Sequence, residues 1–274
     1  MSTARMLAYS LGSLGASIPS QAFSSYVVFF YVDVLQMPAF WIATVGMTCY
    51  GIWNAINDPL IGYFSDRTST RWGRRIPWIA GGILPLVLCF VLVWSPPRLA
   101  AGPAMFAYYM VVIFFWDFFY TLVVLNWTSL FPEMFSSLRE RSLVSAWRQI
   151  FGNLGLVLGI ATAPLLFGSI GWRGMGVVLG VITGAALAVS LLGSRENPAL
   201  RGEPLSLGPA LRYTLANRSF VTYVVTSLMV QFCFVLLMGT LRFYSKYVLR
   251  LTDAQHTVML LACFLVVGWV WPAS

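Results

Sequence analysis

Charge is scarce in this chain. Of its 274 residues, 9% are Asp, Glu, Lys or Arg, and 59% are hydrophobic. A soluble domain carries about 25% charged residues. With a mean hydropathy of +0.79, this much apolar surface is not hidden from water by folding alone, and lipid must cover part of it. Histidine is scarcer still, with His256 alone, and it falls in a polar gap where a solvated loop residue is the plain reading. No HExxH and no GxSxG occurs, and no cysteine–histidine pair is set up for nucleophilic work, which argues against a membrane enzyme. The four cysteines (Cys49, Cys89, Cys233 and Cys263) lie inside apolar runs with neither metal-ligand nor disulfide spacing, and read as small buried apolar side chains. Acid is rarer than base, nine Asp and Glu against 17 Lys and Arg, giving a net charge of +8. The bases sit in short gaps between apolar runs rather than on one face of a soluble domain, so no nucleic-acid partner is expected.

What is abundant is apolar length. Eight runs reach the roughly 20 residues a membrane span needs: about 7–32, 39–64, 77–95, 104–131, 143–167, 172–192, 219–244 and 254–272. Helix is the expected form of each, because lipid offers no partner to an open strand edge. The start, MSTARMLAYSLGS, has no small-residue cleavage site and reads as the first span rather than a removable signal. The fold class expected is an all-α, multi-pass integral membrane protein.

Orientation follows from the arginines. Arg5, then Arg67, Arg71, Arg74 and Arg75, then Arg139 and Arg141, then Arg195, Arg201, Arg212 and Arg218 fall on one side of the alternating spans. The other side holds only Arg98, Arg173, Lys246 and Arg250. The richer side is the cytoplasm, which places the N-terminus there and suits a bacterial inner (plasma) membrane. The longest gap, 193–218, contains Pro198, Pro204 and Pro209 and follows the sixth span. Six helices (1–192), a cytoplasmic linker (193–218) and further helices (219–274) is the layout of a transporter built from two six-helix halves. On that reading the second half, ending at GWVWPAS after about two helices, is expected to be truncated; the alternative is a genuine eight-helix protein.

One stretch breaks the apolar pattern: NAINDPLIGYFSDRTSTRWGRR, from Asn54 to Arg75. Asn54 and Asp58 are four residues apart and share a helix face inside the second span. An ionisable group there is costly, and is by default an ion or substrate site; the alternative is a structural acid paired with an arginine from another helix. Pro59 frees a carbonyl one turn earlier, beside the acid and the amide, which suits a hard cation. The arginine burst Arg67, Arg71, Arg74 and Arg75 pins the loop inside and offers charge partners to Asp66 at the helix end.

The motifs Gly62, Asp66, Arg67, Gly73, Arg74 and Arg75 resemble the loop between helices two and three of the major facilitator superfamily. The wider IWNAINDPLIGYFSDRTSTRWGRRIPWI resembles one branch, the glycoside–pentoside–hexuronide cation symporters that include the melibiose permeases. YSLGSLGASIP, YTLVVLNWTSLFPE, LRERSLVSAWRQIFGNLG and FYSKYVLRLT resemble that branch's first helix, fourth-helix end, loop into helix five and seventh-helix end, in that order. The resemblance implies a major facilitator-type bundle and cation-coupled symport by alternating access. The Asp66–Arg75 loop would act as a conformational gate.

The resemblance also carries residues over, and omits some. The family's two cation-binding acids on helix two fall at Asn54 and Asp58, so one charge is missing. A threonine that faces the cation falls at Thr121. The carboxylates that hold sugar hydroxyls in melibiose permeases fall at Ser17 and Val124, so melibiose is not the expected substrate; an arginine near the sugar falls at Arg148. Asp117 lies one turn before Thr121 and faces the same way. It either supplies the charge that Asn54 lacks or pairs with Arg148 or Arg242. Arg148 itself is either a gate or substrate clamp opposite Asp58 or Asp117, or a snorkelling residue. Ser17, Ser20, Gln21 and Ser24 form a polar face on the first span, around Pro19. That face lines a cavity or serves small-residue helix packing. Tyr26, Trp116, Tyr120 and Trp127 are candidates to stack on a solute ring.

The expected site is therefore Asp58, Asn54, Thr121 and Asp117 for the cation, with Ser17, Gln21, Arg148, Trp116 and Trp127 around the substrate. The expected function is Na⁺- or H⁺-coupled symport of a sugar- or glycoside-like or other small organic solute, an amphiphile among them, by a monomer surrounded by membrane lipid. No cofactor is expected beyond the coupling ion. The alternative is a non-transporting membrane scaffold or a non-functional fragment of such a transporter.

Overall fold

A computed structural model describes residues 2–98, 100–196, 216–243 and 248–249. The chain divides into two compact units, Met1–Pro204 and Leu205–Ser274. The expected eighth span, 254–272, lies outside the described residues, as do His256, Cys263, Arg201 and Arg212 and the side chain of Arg242.

The first unit is all helix. Helices α1 (Thr3–Ser10) and α2 (Gly12–Phe29) meet at Leu11, and a π-helical turn, Phe30–Val34, extends α2. Leu11 keeps helical dihedrals, and its N–H donates to Leu7, so the axis is barely interrupted. A second π-helical turn, Phe40–Gly46, leads into α3 (Met47–Arg67), which carries Pro59 in its interior. Then follow α4 (Ile76–Val93), α5 (Pro103–Met134), α6 (Leu138–Ala161) and α7 (Ala163–Gly193). The N-terminus of α6 is capped by Ser137, whose hydroxyl accepts from the Glu140 N–H at 3.2 Å. Within α7 the backbone of Gly171, at φ 77° and ψ 169°, is not helical, so this range is two helical pieces. Only glycine occupies such a region without strain. That break falls where the sequence separated the fifth and sixth spans. In the second unit α8 (Arg218–Phe243) occupies the expected seventh span.

By length and composition four of these helices can cross a membrane: α4, α5, α6 and α7. Polar residues in α2 and α3 dilute their apolar character, and four of them, Ser20, Ser24, Asn54 and Asp58, face the cavity described below. On α4, Leu84 and Leu88 are one turn apart and 66% and 54% exposed. An apolar stripe of that kind is stable against lipid tails, not water. Among the described residues there is no β-strand, only an isolated bridge between Thr70 and Gly73.

Packing brings α2 against α6 and α7, α4 against α5 and α7, and α3 against α5. The α2–α6 crossing is tight because α6 presents glycines. A methyl group on Gly155 would lie 2.7 Å from Ser17 Cβ and 3.0 Å from the Leu14 carbonyl oxygen. One on Gly159 would lie 2.7 Å from the Ile18 carbonyl oxygen. Small residues that let backbones approach are a principal means of helix association in lipid. Outside that crossing, Ser190 on α7 donates to the Tyr9 carbonyl at 2.8 Å, and the Tyr9 hydroxyl donates to the Trp127 carbonyl at 2.9 Å. These bonds tie α1, α5 and α7 together.

Candidate functional site

A cavity of about 330 Å³ opens between α2, α3 and α5. Its polar wall comes from α3 and α5, which run side by side. The Thr121 hydroxyl donates to Asp58 Oδ1 at 3.0 Å. One turn away, Asn54 Nδ2 donates to Asp117 Oδ1 at 3.0 Å. Asn57 Nδ2 donates to the second oxygen of the same carboxylate at 3.1 Å. The structure thus brings Asn54, Asp58, Asp117 and Thr121 to one wall. Asp117 and Thr121 are buried, whereas Asp58 is exposed. Asn57 was not assigned a site role from the sequence. The signal available was its spacing, three residues after Asn54 and hence on a neighbouring part of the same face.

The apolar wall is aromatic. Trp116 stacks on Phe23 at 4.1 Å between ring centroids and on Tyr120 at 5.4 Å, and Phe23 meets Tyr50 at 5.5 Å. The Trp116 indole N–H is buried without a hydrogen-bond partner among the described residues. Ser20 and Ser24 complete the lining from α2.

Four residues expected in the substrate cavity sit elsewhere. Ser17 and Gln21 pack on the glycine face of α6, where a methyl group on Gly159 would also come within 2.9 Å of Gln21 Cβ. The polar face of the first span therefore divides between two surfaces: Ser20 and Ser24 to the cavity, Ser17 and Gln21 to helix packing. Trp127 is buried and stacked on Tyr9 at 5.1 Å. Arg148 lies with its guanidinium 4.6 Å from the Trp127 ring centroid and 5.1 Å from that of Phe131. It forms no ion pair with Asp58 or Asp117, and its partners are aromatic faces. Of the four residues proposed to stack on a ring, Trp116 and Tyr120 line the cavity. Tyr26 donates its hydroxyl to the Ile160 carbonyl at 2.7 Å instead.

The loop between α3 and α4 is a charged knot. Arg75 pairs with Asp66 at 3.0 Å and with Glu133 at 2.7 Å, and also donates to the Ser129 carbonyl at 2.6 Å. Arg74 pairs with Glu133 at 2.7 Å and lies 4.0 Å from Asp66. Arg67 turns back over the Tyr63 ring at 3.5 Å. Gly62 faces α5, where a methyl group would meet Leu125 at an ordinary 3.8 Å. Gly73 has φ 115°, and an added methyl group there would collide with the Glu196 carboxylate. That carboxylate accepts from three consecutive backbone N–H groups, Arg74 at 2.6 Å, Arg75 at 2.5 Å and Ile76 at 2.8 Å. An acid on the open N–H groups of a helix start complements both their hydrogen bonding and the helix dipole. Glu133 and Glu196 were not singled out in the sequence, where an acid just past an apolar run looks like any solvated helix end.

The family model for MFS/sugar transport proteins matches residues 8–272. The chain is 34% identical over 221 residues to an uncharacterised symporter of Synechocystis sp., covering 77% of this chain and 40% of that protein. It is 27% identical over 197 residues to the isoprimeverose transporter of Lactiplantibacillus pentosus, covering 69% and 41%. It is 24% identical over 320 residues to the sodium-dependent lysophosphatidylcholine symporter 1 of Gallus gallus, covering 99% and 60%. The chain spans about 40–60% of the length of these relatives.

Proposed function

The chain belongs to the MFS/sugar transport protein family, in its glycoside–pentoside–hexuronide branch, and we propose that it works in cation-coupled symport, in which Na⁺ or H⁺ moving down its electrochemical gradient drives the movement of a small organic solute. The observation that carries this reading is the Asp58–Thr121 contact at 3.0 Å across two helices, on the wall of a cavity that also holds Asn54 and Asp117. Carboxylate and hydroxyl oxygens are hard donors suited to Na⁺, and a carboxylate is equally able to take a proton. Membership in a transporter family, with relatives named as symporters and transporters, supports transport rather than catalysis.

The solute is sugar- or glycoside-like or another small organic molecule. The stacked wall of Phe23, Trp116 and Tyr120 suits the apolar face of a ring or chain. The Trp116 N–H, without a partner among the described residues, and the Ser20 hydroxyl suit an acceptor oxygen. Among the relatives, one is named for isoprimeverose and one for lysophosphatidylcholine, so an amphiphile belongs in the solute panel. The protein acts as a monomer in the bacterial inner membrane, surrounded by lipid, with its N-terminus in the cytoplasm. The arginine-rich gaps support that orientation. The ion pairs of Asp66, Arg74 and Arg75 would then lie on the cytoplasmic side and favour one conformation of the cycle. Ion and solute drive the cycle by binding the two states with different affinity.

The test is uptake of labelled solutes into right-side-out vesicles carrying the complete coding sequence, under imposed Na⁺ or pH gradients, for the parent and Asp58→Asn. Gradient-driven accumulation that Asp58→Asn abolishes in a folded protein is the expected result. Accumulation indifferent to Asp58→Asn would overturn the ion-site assignment. A panel that spans sugars and lysolipids and shows no gradient response would favour a scaffold over a symporter.

A further inference from the structure

Asp117 is a buried acid with no cation beside it among the described residues. It is 0% exposed, and no Lys or Arg among the described residues forms an ion pair with it. Its two oxygens are met by two amides, Asn54 Nδ2 at 3.0 Å and Asn57 Nδ2 at 3.1 Å, the Tyr50 hydroxyl hydrogen-bonds the same carboxylate, and Asp58 is the neighbouring acid. Amide dipoles satisfy the lone pairs, but they do not cancel the charge. A buried ionised carboxylate without a counter-charge is costly, and within a membrane span it is retained for function.

The contact belongs to a regular arrangement. Asn54 and Asp58 are one turn apart on α3, and Asp117 and Thr121 are one turn apart on α5. Each joins its opposite number across the same sequence interval of 63 residues, at the same 3.0 Å. The two helices therefore form two rungs of a ladder. Each rung holds one carboxylate and one neutral partner, and the acid changes sides: α5 supplies it in the first rung and α3 in the second. The two charges are thus presented to one cavity wall from two different helices.

We propose that Asp117 is the second charge of the coupling-ion site, and that Asn54 and Asp117 are a transposed amide–acid pair whose function depends on the rung holding one acid and not on which helix carries it. This rests on the symport reading above. The ligand is a monovalent cation: Na⁺, bound through the oxygens of Asp117, Asp58 and Thr121, or a proton held on the carboxylate. Because the two acids come from α3 and α5, occupancy by the ion draws these helices together, and its release removes that link. Asn57 is the positioning residue that holds the Asp117 carboxylate from its second oxygen.

The experiment compares the parent with Asp117→Asn, Asn54→Asp and the exchange variant Asn54→Asp/Asp117→Asn, each expressed with its complete coding sequence. Two measurements are made. One is gradient-driven accumulation of a transported solute in vesicles, with a Na⁺ gradient at fixed pH and separately a pH gradient without Na⁺. The other is the melting temperature of the purified protein in detergent, in sodium chloride against choline chloride and across pH, which needs no solute. The expected result is that Asp117→Asn lowers accumulation by about tenfold or more and removes the ion-dependent shift in melting temperature, while the exchange variant restores both. The Na⁺ arm and the pH arm show which cation is bound. A folded Asp117→Asn protein that keeps full accumulation and its ion-dependent shift would overturn the proposal, and so would an exchange variant that folds and stays inactive. Should Asp117→Asn alone fail to fold, the exchange variant, which rebuilds the acid–amide contact, decides. An Asp58→Asn loss beside an unaffected Asp117→Asn sinks this inference alone. A parent indifferent to both gradients sinks the symport reading itself.

Discussion

Arg75 Nη1 lies 2.7 Å from Glu133 Oε1, and the same guanidinium also reaches Asp66 and the Ser129 carbonyl. One arginine thereby joins the end of α3, the start of α4 and the last turns of α5. The Arg75 and Glu133 side chains are both 13% exposed, so removing one leaves the other poorly solvated. A fully buried pair broken in this way costs about 3–5 kcal/mol. Here Asp66, 46% exposed, remains as a partner, which brings the expected cost of Glu133→Gln to about 1–3 kcal/mol. Thermal unfolding in detergent should show it as a drop of several degrees. Arg75→Lys should not preserve stability, because an ammonium cannot span three acceptors as the planar fork does. Full stability in Arg75→Lys would mean that charge alone matters at this position.

Gly73 and Glu196 form a second joint on the same loop, and it calls for a double-mutant cycle. Gly73→Ala faces two penalties, a left-handed backbone at φ 115° and a methyl group pushed into the Glu196 carboxylate. Left-handed strain of this kind costs about 1–3 kcal/mol. Glu196→Ala loses an acceptor for three helix-start N–H groups, comparable to a lost cap at about 0.5–2 kcal/mol. In the Glu196→Ala background the collision is gone, so Gly73→Ala should cost measurably less than in the parent. Strict additivity in melting temperature would show that the two residues do not touch.

Much of this architecture was legible because lipid leaves helix as the only choice for an apolar run. The fourth span, expected at 104–131, is α5 at Pro103–Met134, and the seventh, expected at 219–244, is α8 at Arg218–Phe243. The site was legible on each helix separately, since Asn54 and Asp58, like Asp117 and Thr121, are four residues apart. Their union was not, because no local pattern states which helix packs on which across 63 residues. Nor does helical periodicity separate two surfaces that share one polar stripe. Ser17 and Ser20 are three residues apart, yet one meets Gly155 and the other the cavity. The aromatic seat of Arg148 was hidden for a different reason. An intramembrane arginine suggests an acid, and cation–π partners leave no distinctive spacing in the sequence.

That division of the α2 polar stripe has a kinetic consequence. Ser17→Ala should leave KM for the solute within about twofold, since the residue faces α6 and exchanging a hydroxyl for hydrogen there creates no clash. Ser20→Ala, on the cavity wall, should raise KM about two- to thirteenfold, the range expected when one hydrogen bond of about 0.5–1.5 kcal/mol is lost. Gly155→Val should lower the melting temperature sharply, because its side chain has the Leu14 carbonyl oxygen in its path and backbone cannot step aside. A larger KM effect at Ser17 than at Ser20 would reverse the assignment.

Arg148 offers the clearest separation between a structural and a solute-binding role. Its guanidinium rests 4.6 Å from Trp127 and 5.1 Å from Phe131, and Trp127 is itself stacked on Tyr9. Replacing it with Gln keeps a polar side chain, though a shorter one, and removes the charge over the rings, at a cost of about 0.5–2 kcal/mol. The effect should appear as a lower melting temperature, with KM for the solute and the ion dependence of uptake unchanged. Trp127→Phe should show a similar but smaller loss, and Arg148→Gln should add little to it, because both changes weaken one contact. A tenfold rise in KM for Arg148→Gln at unchanged stability would instead mean that the guanidinium leaves the rings to hold the solute during the cycle.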